Sequence, residues 1–361
     1  IEPSTGEILS LISAPSFDPN KLSGREFSEN YKELLKNDTL KPIINRPIYN
    51  ANYRPGSIFK LVQALIAMQE GVIKQSTGFA CNKSLINCHN HEHPSNVQIA
   101  IQHSCNPYFY HVYKRLIQRG DQSSIFKDSR IGIEKWNAAV KTFGLGVKLN
   151  TDIPGVKAGR IPDANYYDNE FPSKSNPYGK HRWAFSTIYS NSIGEGEIGV
   201  SPLQMANLAA IIANRGYYYT PHLVKKIGKD GSKRPEYLKK NYAMAAAEYF
   251  EPVINAMEMV VENGTARNAQ IDSIIVCGKT GTVQNETFND HSVFIAFAPK
   301  ENPQIAIAVY VEYGTWGGIW AAKIASLMIE KYLAKELSEN AKNKEKQVLD
   351  AIILDKHSDF K

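Results

Sequence analysis

Three short phrases in this chain hold residue types able to do covalent chemistry. In "YRPGSIFK", Tyr53 to Lys60, a serine and a lysine stand three apart behind Pro55 and Gly56. If Ser57 opens a helix, the i, i+3 spacing places both side chains on one face. A serine hydroxyl attacks only once a base takes its proton, and a lysine serves when desolvation and nearby positive charge lower its pKa. The helix start adds backbone N–H groups aimed at a developing oxyanion. Alone the pair is weak, because Ser as an N-cap and Lys as surface charge is the commoner meaning of such a phrase. "HSCN" adds Ser104 and Asn106, and "CGKTGT" adds Lys279, Thr280, Gly281 and Thr282. On a strand, alternation turns Lys279 and Gly281 one way and the threonines the other. Each phrase is common singly; the ordered set S-x-x-K, S-x-N, K-T-G is not.

These residues need elements to hold them. The segment Ile58 to Gln69 is apolar all round and predicts a central buried helix. Helical periodicity through Val97 to Leu116, around Ile133 to Phe143 and over Pro202 to Asn214 predicts further helices, separated by an irregular stretch, Gly144 to Lys180, dense in Gly, Pro, Asn and Asp. "IIVCGKTGT", "SVFIAFAP" and "IAIAVYVEYG" predict an antiparallel meander, closed by a helix from Trp320 to Leu333. At the other end, "IEPSTGEILSLIS" predicts a hairpin with a strand from Ile8 to Ile12. The expected class is therefore α+β: one domain over 1–333, its antiparallel sheet drawn from about 1–15 and 270–333 and flanked by helices, with an all-helical subdomain inserted within about 60–215. Residues 334–361 form a charged tail or helix.

Composition excludes several classes. With 43% hydrophobic and 22% charged residues among 361, the chain is neither disordered nor fibrous. The net charge of +6 is mild and its lysines interleave with acids near the C-terminus, so no nucleic-acid partner is expected. No run of about 18 apolar residues occurs. The chain opens at Ile1 without Met and is read as an excised soluble portion, so a missing anchor says little about the parent protein.

The ordered motifs, together with "TGEILSLISAPSFDPN", "RPIYNANYRPGSIFK", "SCNPYFY", "FGLG", "IGEGEIGVSPLQMANLAAIIANRG", "GKTGTVQN", "DHSVFIAFAP" and "AVYVEYG", resemble almost end to end the transpeptidase domain of class B penicillin-binding proteins. The nearest branch is the elongation-type penicillin-binding protein 2. The resemblance implies the penicillin-binding transpeptidase fold, similar to serine β-lactamases, and a peptidoglycan D,D-transpeptidase inhibited covalently by β-lactams. It implies Ser57 as nucleophile, Lys60 as its base, Ser104 as proton relay, Asn106 as holder of the stem amide and the Lys60 ammonium, and Lys279 as a source of positive field. Thr280 and Thr282 would take the terminal carboxylate, and the backbone N–H groups of Ser57 and Thr282 would form the oxyanion hole. Gly281 would lack a side chain so that substrate can lie along its strand. Asp290 and His291 match an Asp-His pair of elongation-type members; they either touch substrate or merely fix the turn between two strands.

The implied setting is the periplasmic face of the bacterial cytoplasmic membrane, with an N-terminal anchor outside this chain. The implied partners are peptidoglycan stem peptides, β-lactams, a shape-determining glycosyltransferase and the elongation complex. A β-lactam sensor, a D,D-carboxypeptidase and a β-lactamase-type hydrolase share parts of this site. No deacylating carboxylate phrase stands out, although Glu195 in "GEGE" stays open.

"CNKSLINCHNHEHPSNVQIAIQHSC" gathers Cys81, Cys88, His89, His91, His93 and Cys105. Catalysis is expected to need no cofactor, but three thiols and one imidazole suit a closed structural zinc site, with Cys81, Cys88, His91 and Cys105 as the candidate set. An extracytoplasmic Cys81–Cys88 disulfide and simple unpaired thiols are the competing readings. Cys277, beside Gly278 in a strand, reads as an apolar packer.

Overall fold

The structure, a computed structural model, describes residues 1–37, 40–172 and 183–353. Two helices, α1 (Phe27–Lys36) and α2 (Arg46–Tyr49), precede the buried α3 (Phe59–Gln69). There follow α4 (Val97–Gln102), α5 (Asn106–Ile117), α6 (Ile125–Lys141), α7 (Ala164–Glu170), α8 (Phe185–Ile188) and α9 (Pro202–Ala213). A small hairpin pairs β1 (Tyr217–Tyr219) with β2 (Lys240–Tyr242), and α10 (Phe250–Glu262) leads to the main sheet. That sheet is the antiparallel meander β3 (Cys277–Val283), β4 (His291–Ala298) and β5 (Ile305–Val311), followed by α11 (Trp320–Ala334) and α12 (Glu339–Leu349). Among the described residues no helix is long and apolar enough to cross a membrane.

The expected helix at Ile58 exists and is as buried as its composition requires: every side chain from Phe59 to Met68 is interior. It packs on α5 and α6, while α9, α10 and α11 cover the sheet. Local signals explain the starts. Ser201 and Gln204 form a reciprocal capping box behind Pro202 at α9, and Asn96 accepts from Ile99 N–H to start α4. Burying the apolar side chains of α3 contributes on the order of 1.5–3 kcal/mol per large side chain, which makes it a stable post for Lys60 and for the Ser57 turn that precedes it.

The structure corrects four expectations. The stretch Gly144 to Lys180, expected to be irregular, carries the short helix α7, and its residues 173–180 lie outside the described ones. The helix read through Val97 to Leu116 is two helices, broken at His103–Cys105. Pro107 explains the break, since a proline in a helix interior lacks the N–H and clashes with the preceding turn. The helix expected from Ile133 starts earlier, at Ile125. The expected strand from Ile8 to Ile12 does not form. Glu2 and Glu7 close the turn through Glu2 N–H to Glu7 O at 2.9 Å, and Ile1 exchanges two hydrogen bonds with Ala306 of β5. Ile8, however, donates to His222 O, and an apolar cavity of about 440 Å³ separates the 8–15 segment from β5. Backbone that close to a sheet edge becomes a strand only by pairing with it, and here only Ile1 does.

Candidate active site

Ser57 sits in a single 3-10 turn, Gly56 to Ile58, which runs directly into α3 and its first-turn Lys60. In such a turn residues three apart nearly eclipse, so the two side chains leave on the same side. Gly56 takes φ +57°, and a Cβ there would lie 3.1 Å from Thr282 O. Its N–H donates to Gly194 O at 3.0 Å. A glycine is required by both the left-handed backbone and the approach of β3.

Ser104 is held by a different device. Ser104 N–H donates to Ile101 O at 3.0 Å and Cys105 N–H to Ala100 O at 2.9 Å, which is the Schellman pattern at the end of α4. Its left-handed position, usually glycine, is occupied by Ser104 at φ 53°. A non-glycine residue held there costs on the order of 1–3 kcal/mol, and the fold accepts that cost at the S-x-N motif. α5 then begins at once with Asn106 and Pro107.

The motifs converge on the Ser104 hydroxyl. Lys60 Nζ donates to Ser104 O at 2.6 Å, Ser104 Oγ at 3.1 Å and Asn106 Oδ1 at 2.5 Å. Lys279 Nζ donates to the same Ser104 Oγ at 3.0 Å and to Thr280 O at 3.0 Å. Both lysines are fully buried. Burial brings Lys60 down to about 8, and burial together with the Lys60 charge drives Lys279 well below its ordinary value. A hydroxyl that accepts from two lysines keeps its own hydrogen free to donate elsewhere. Ser57 is half-buried, and no hydrogen bond joins it to Lys60 among the described residues, so the base rests on the S-x-N segment.

β3 is the outer strand of the three-stranded sheet and lies against the Ser57 turn. The expected alternation holds. Lys279 turns to Ser104 and Gly281 to Pro55, while Thr280 Oγ1 meets Thr265 Oγ1 at 2.5 Å and Thr282 Oγ1 accepts Gly317 N–H at 3.2 Å. A Cβ on Gly281 would sit 2.8 Å from Pro55 O. The steric demand expected from substrate is thus already made by the protein's own Pro55 carbonyl, which packs against β3 at Gly281.

Asp290 and His291 hold the connections around this strand. Asp290 Oδ1 accepts Asn285 N–H at 3.1 Å, and Asp290 O accepts Thr315 N–H at 2.8 Å. His291 Nδ1 accepts Tyr313 N–H at 3.0 Å, and burial lowers its pKa. Its ring also lines a cavity of about 390 Å³ with Arg54, Gln284, Asn285 and Glu286. Sequence reasoning passed over Arg54 and left Glu195 only as an open question. Glu195 Oε2 lies 3.3 Å from Arg54, and Glu195 Oε1 accepts Gln284 N–H at 3.3 Å, so both of its oxygens are engaged. The signal available in the sequence was a lone acid between two glycines.

On the far side of Ser104 the four residues expected as a metal set do come together. One ligating atom from each of Cys81, Cys88, His91 and Cys105 lies within 4.8 Å of the others. His91 Nε2 is 3.3 Å from Cys88 Sγ and 3.5 Å from Cys81 Sγ. Zinc–ligand bonds of about 2.0–2.3 Å in a tetrahedron imply ligand separations near these values. His91 Nδ1 is 2.6 Å from Glu92 O, a bond that fixes the tautomer and leaves Nε2 for a metal. His93, by contrast, spends Nδ1 on Cys81 N–H at 3.0 Å. All four cysteines of the chain are free thiols, and Cys277 is a buried packer with its pKa pushed up to about 12 by burial. The Cys105 hydrogen bond holds Cys88 far below the usual thiol range, while the same bond and burial push Cys105 up. The donor set therefore fits zinc.

A serine at a helix start, a buried lysine one turn on, and a second serine shared with a strand lysine define an acyl-serine site of the S-x-x-K class. The chain belongs to the penicillin binding protein transpeptidase domain family, whose model matches residues 1–330. It is similar to the peptidoglycan D,D-transpeptidase MrdA of Acinetobacter baumannii, with 29% identity covering 92% of this chain and 50% of that protein. The MrdA of Escherichia coli K12 is 27% identical, covering 88% of this chain and 51% of that one. The chain thus spans about half the length of these curated relatives. Among solved structures, Pseudomonas aeruginosa PBP2 in complex with WCK 5153 superposes with a TM-score of 0.76 at 28% identity, covering 94% of this chain and 71% of that one.

Proposed function

We propose that this chain is the peptidoglycan D,D-transpeptidase domain of an elongation-type, membrane-anchored enzyme working at the periplasmic face of the bacterial cytoplasmic membrane. The observation that carries the proposal is the Ser104 hydroxyl gripped by two buried lysines, one from each of the flanking motifs. Neutral Lys60 takes the Ser57 Oγ proton, and Oγ attacks the penultimate D-Ala carbonyl of a stem peptide. Backbone N–H groups of Ser57 and Thr282 hold the oxyanion. As the C–N bond breaks, the proton on Lys60 passes through Ser104 Oγ to the departing D-Ala amine. An amine of a neighbouring stem then attacks the ester, gives up its proton along the same route and leaves Ser57 as a hydroxyl.

Asn106 orients the stem amide, Lys279 adds positive field, and Thr280 and Thr282 receive the terminal carboxylate. Because Thr280 and Thr282 are engaged with Thr265 and Gly317, and Gly281 abuts Pro55, binding requires these contacts to yield. Asp290 and His291 act on substrate through the turn they brace. Cys81, Cys88, His91 and Cys105 would hold a zinc ion whose role is to tie the Ser104–Asn106 loop to the preceding segment. A shape-determining glycosyltransferase and the elongation complex are the partners this reading entails.

The test is intact mass after exposure to a β-lactam, for wild type and Ser57→Ala, with cross-linking of donor and acceptor stem peptides measured in parallel. A stable adduct on wild type alone and a cross-linked product support the proposal. An adduct that decays with drug consumption would identify a hydrolase, and a stable adduct without cross-links would identify a sensor.

A further inference from the structure

The segment Gly194 to Gly196 presents one carboxylate to both halves of the acylation site. Glu195 is flanked by two left-handed glycines, Gly194 at φ +76° and Gly196 at φ +71°. Its N–H is tied to Ser190 O at 3.2 Å, at the end of the 3-10 helix Tyr189–Ile193. A Cβ on Gly194 would fall 2.2 Å from Gly56 O, so the segment lies flush against the Ser57 turn. From this base the side chain, buried to 9% exposure as a residue, reaches Arg54 with one oxygen and Gln284 N–H with the other.

Those two partners bracket the chemistry. Arg54 precedes Ser57 by three residues, and Gln284 follows Thr282 by two. The turn and the strand are otherwise in bare van der Waals contact at Pro55, Gly56 and Gly281, which resists compression but not separation. A buried carboxylate accepting from both sides resists separation as well, because pulling either partner away leaves a desolvated charge unpaired. We infer that Glu195 is a positioning residue, a clamp that fixes the distance between the Ser57 turn and the end of β3, and hence between the two backbone donors assigned to the oxyanion. This rests on the transpeptidase reading for its catalytic consequence, and not for the clamp itself.

A clamp of this kind acts on the step in which charge develops on the oxyanion, not on prior binding. Acylation by benzylpenicillin is followed to saturation for wild type, Glu195→Ala and Glu195→Gln. Glu195→Ala is expected to lower the saturated acylation rate at least tenfold while the half-saturating concentration moves less than threefold. Glu195→Gln, whose amide oxygen still accepts the Gln284 N–H but whose NH2 cannot accept from Arg54, breaks only one arm and is expected to lose several-fold less rate than Glu195→Ala. Amide hydrogen exchange is measured on the same three proteins. Gln284 is expected to exchange at least tenfold faster in Glu195→Ala, with α3 amides unchanged. Unchanged exchange at Gln284, loss confined to the half-saturating concentration, or equal behaviour of the two variants would overturn the clamp. A wild type that takes up no β-lactam would overturn the transpeptidase reading instead, while the exchange data still decide the clamp.

Discussion

Ser104, Cys105 and Asn106 are consecutive, yet their side chains serve two clusters of opposite electrostatic character. Ser104 and Asn106 face the buried Lys60 and Lys279, where desolvation pulls cations towards neutrality. Cys105 faces Cys81, Cys88 and His91, where a thiol pair pulls one sulfur towards the anion. Burial thus yields an amine able to accept a proton on one side, whereas on the other the Cys105 hydrogen bond overcomes burial and yields a Cys88 thiolate suited to a metal. Cys105 is extended, at φ −64° and ψ 113°, which turns its side chain away from those of its two neighbours.

The largest effect should come from the reacting group itself. Ser57→Ala is expected to abolish the β-lactam adduct entirely while leaving thermal stability and metal content untouched, which intact mass, calorimetry and elemental analysis would check. Gly281→Ala comes next. Its methyl meets Pro55 O at 2.8 Å, so the strand must shift away from the Ser57 turn. Overpacking of this sort costs about 1–3 kcal/mol, and the acylation rate should fall by roughly the corresponding 5- to 150-fold. If acylation were normal, β3 would not be the wall of the cleft.

On the thiol side, purified protein is expected to carry one zinc per chain, released by thiol modification. Cys88→Ser should lose the metal and lower the melting temperature by several degrees, and acylation should weaken because Asn106 N–H rests on Cys88 Sγ at 3.4 Å. A metal-free protein of normal stability would break the comparison by removing one of its two halves. The mildest effect should be on pH. If Lys60 is the base proposed above it must act as the neutral amine, and burial has brought it to about 8, so the acylation rate should rise with pH and level off above about 8 rather than near the ordinary lysine value. A profile flat from pH 6 to 9 would show that Lys60 is not the base.

Much of this molecule was legible in its residues for reasons that are local. The meander β3–β4–β5 follows from three β-branched runs broken by turn residues, and α3 from an apolar run too long for a strand. The His91 choice was legible as a phrase, and in the fold its Nδ1 contact with Glu92 O distinguishes it from His93, whose Nδ1 accepts Cys81 N–H. Other features were not local. The split between α4 and α5 has a sequence signal in Pro107, but the left-handed Ser104 has none, since serine rarely occupies that position. The N-terminal strand failed because strand formation depends on a partner's edge, and periodicity does not record partners.

By itself the sequence determined which chemistry was available: a serine three before a lysine, a second serine two before an asparagine, a lysine before a glycine, and a compact set of thiols and imidazoles. Those are properties of residue type and short spacing, and helices and strands convert them directly into faces. The tertiary structure alone decided that Lys60 bonds to Ser104 rather than to Ser57, that Pro55 O packs against Gly281, and that Glu195 ties Arg54 to Gln284. Each of those is a contact between residues roughly 40 to more than 200 positions apart, set by how buried elements pack, and no short-range pattern encodes a distance of that kind.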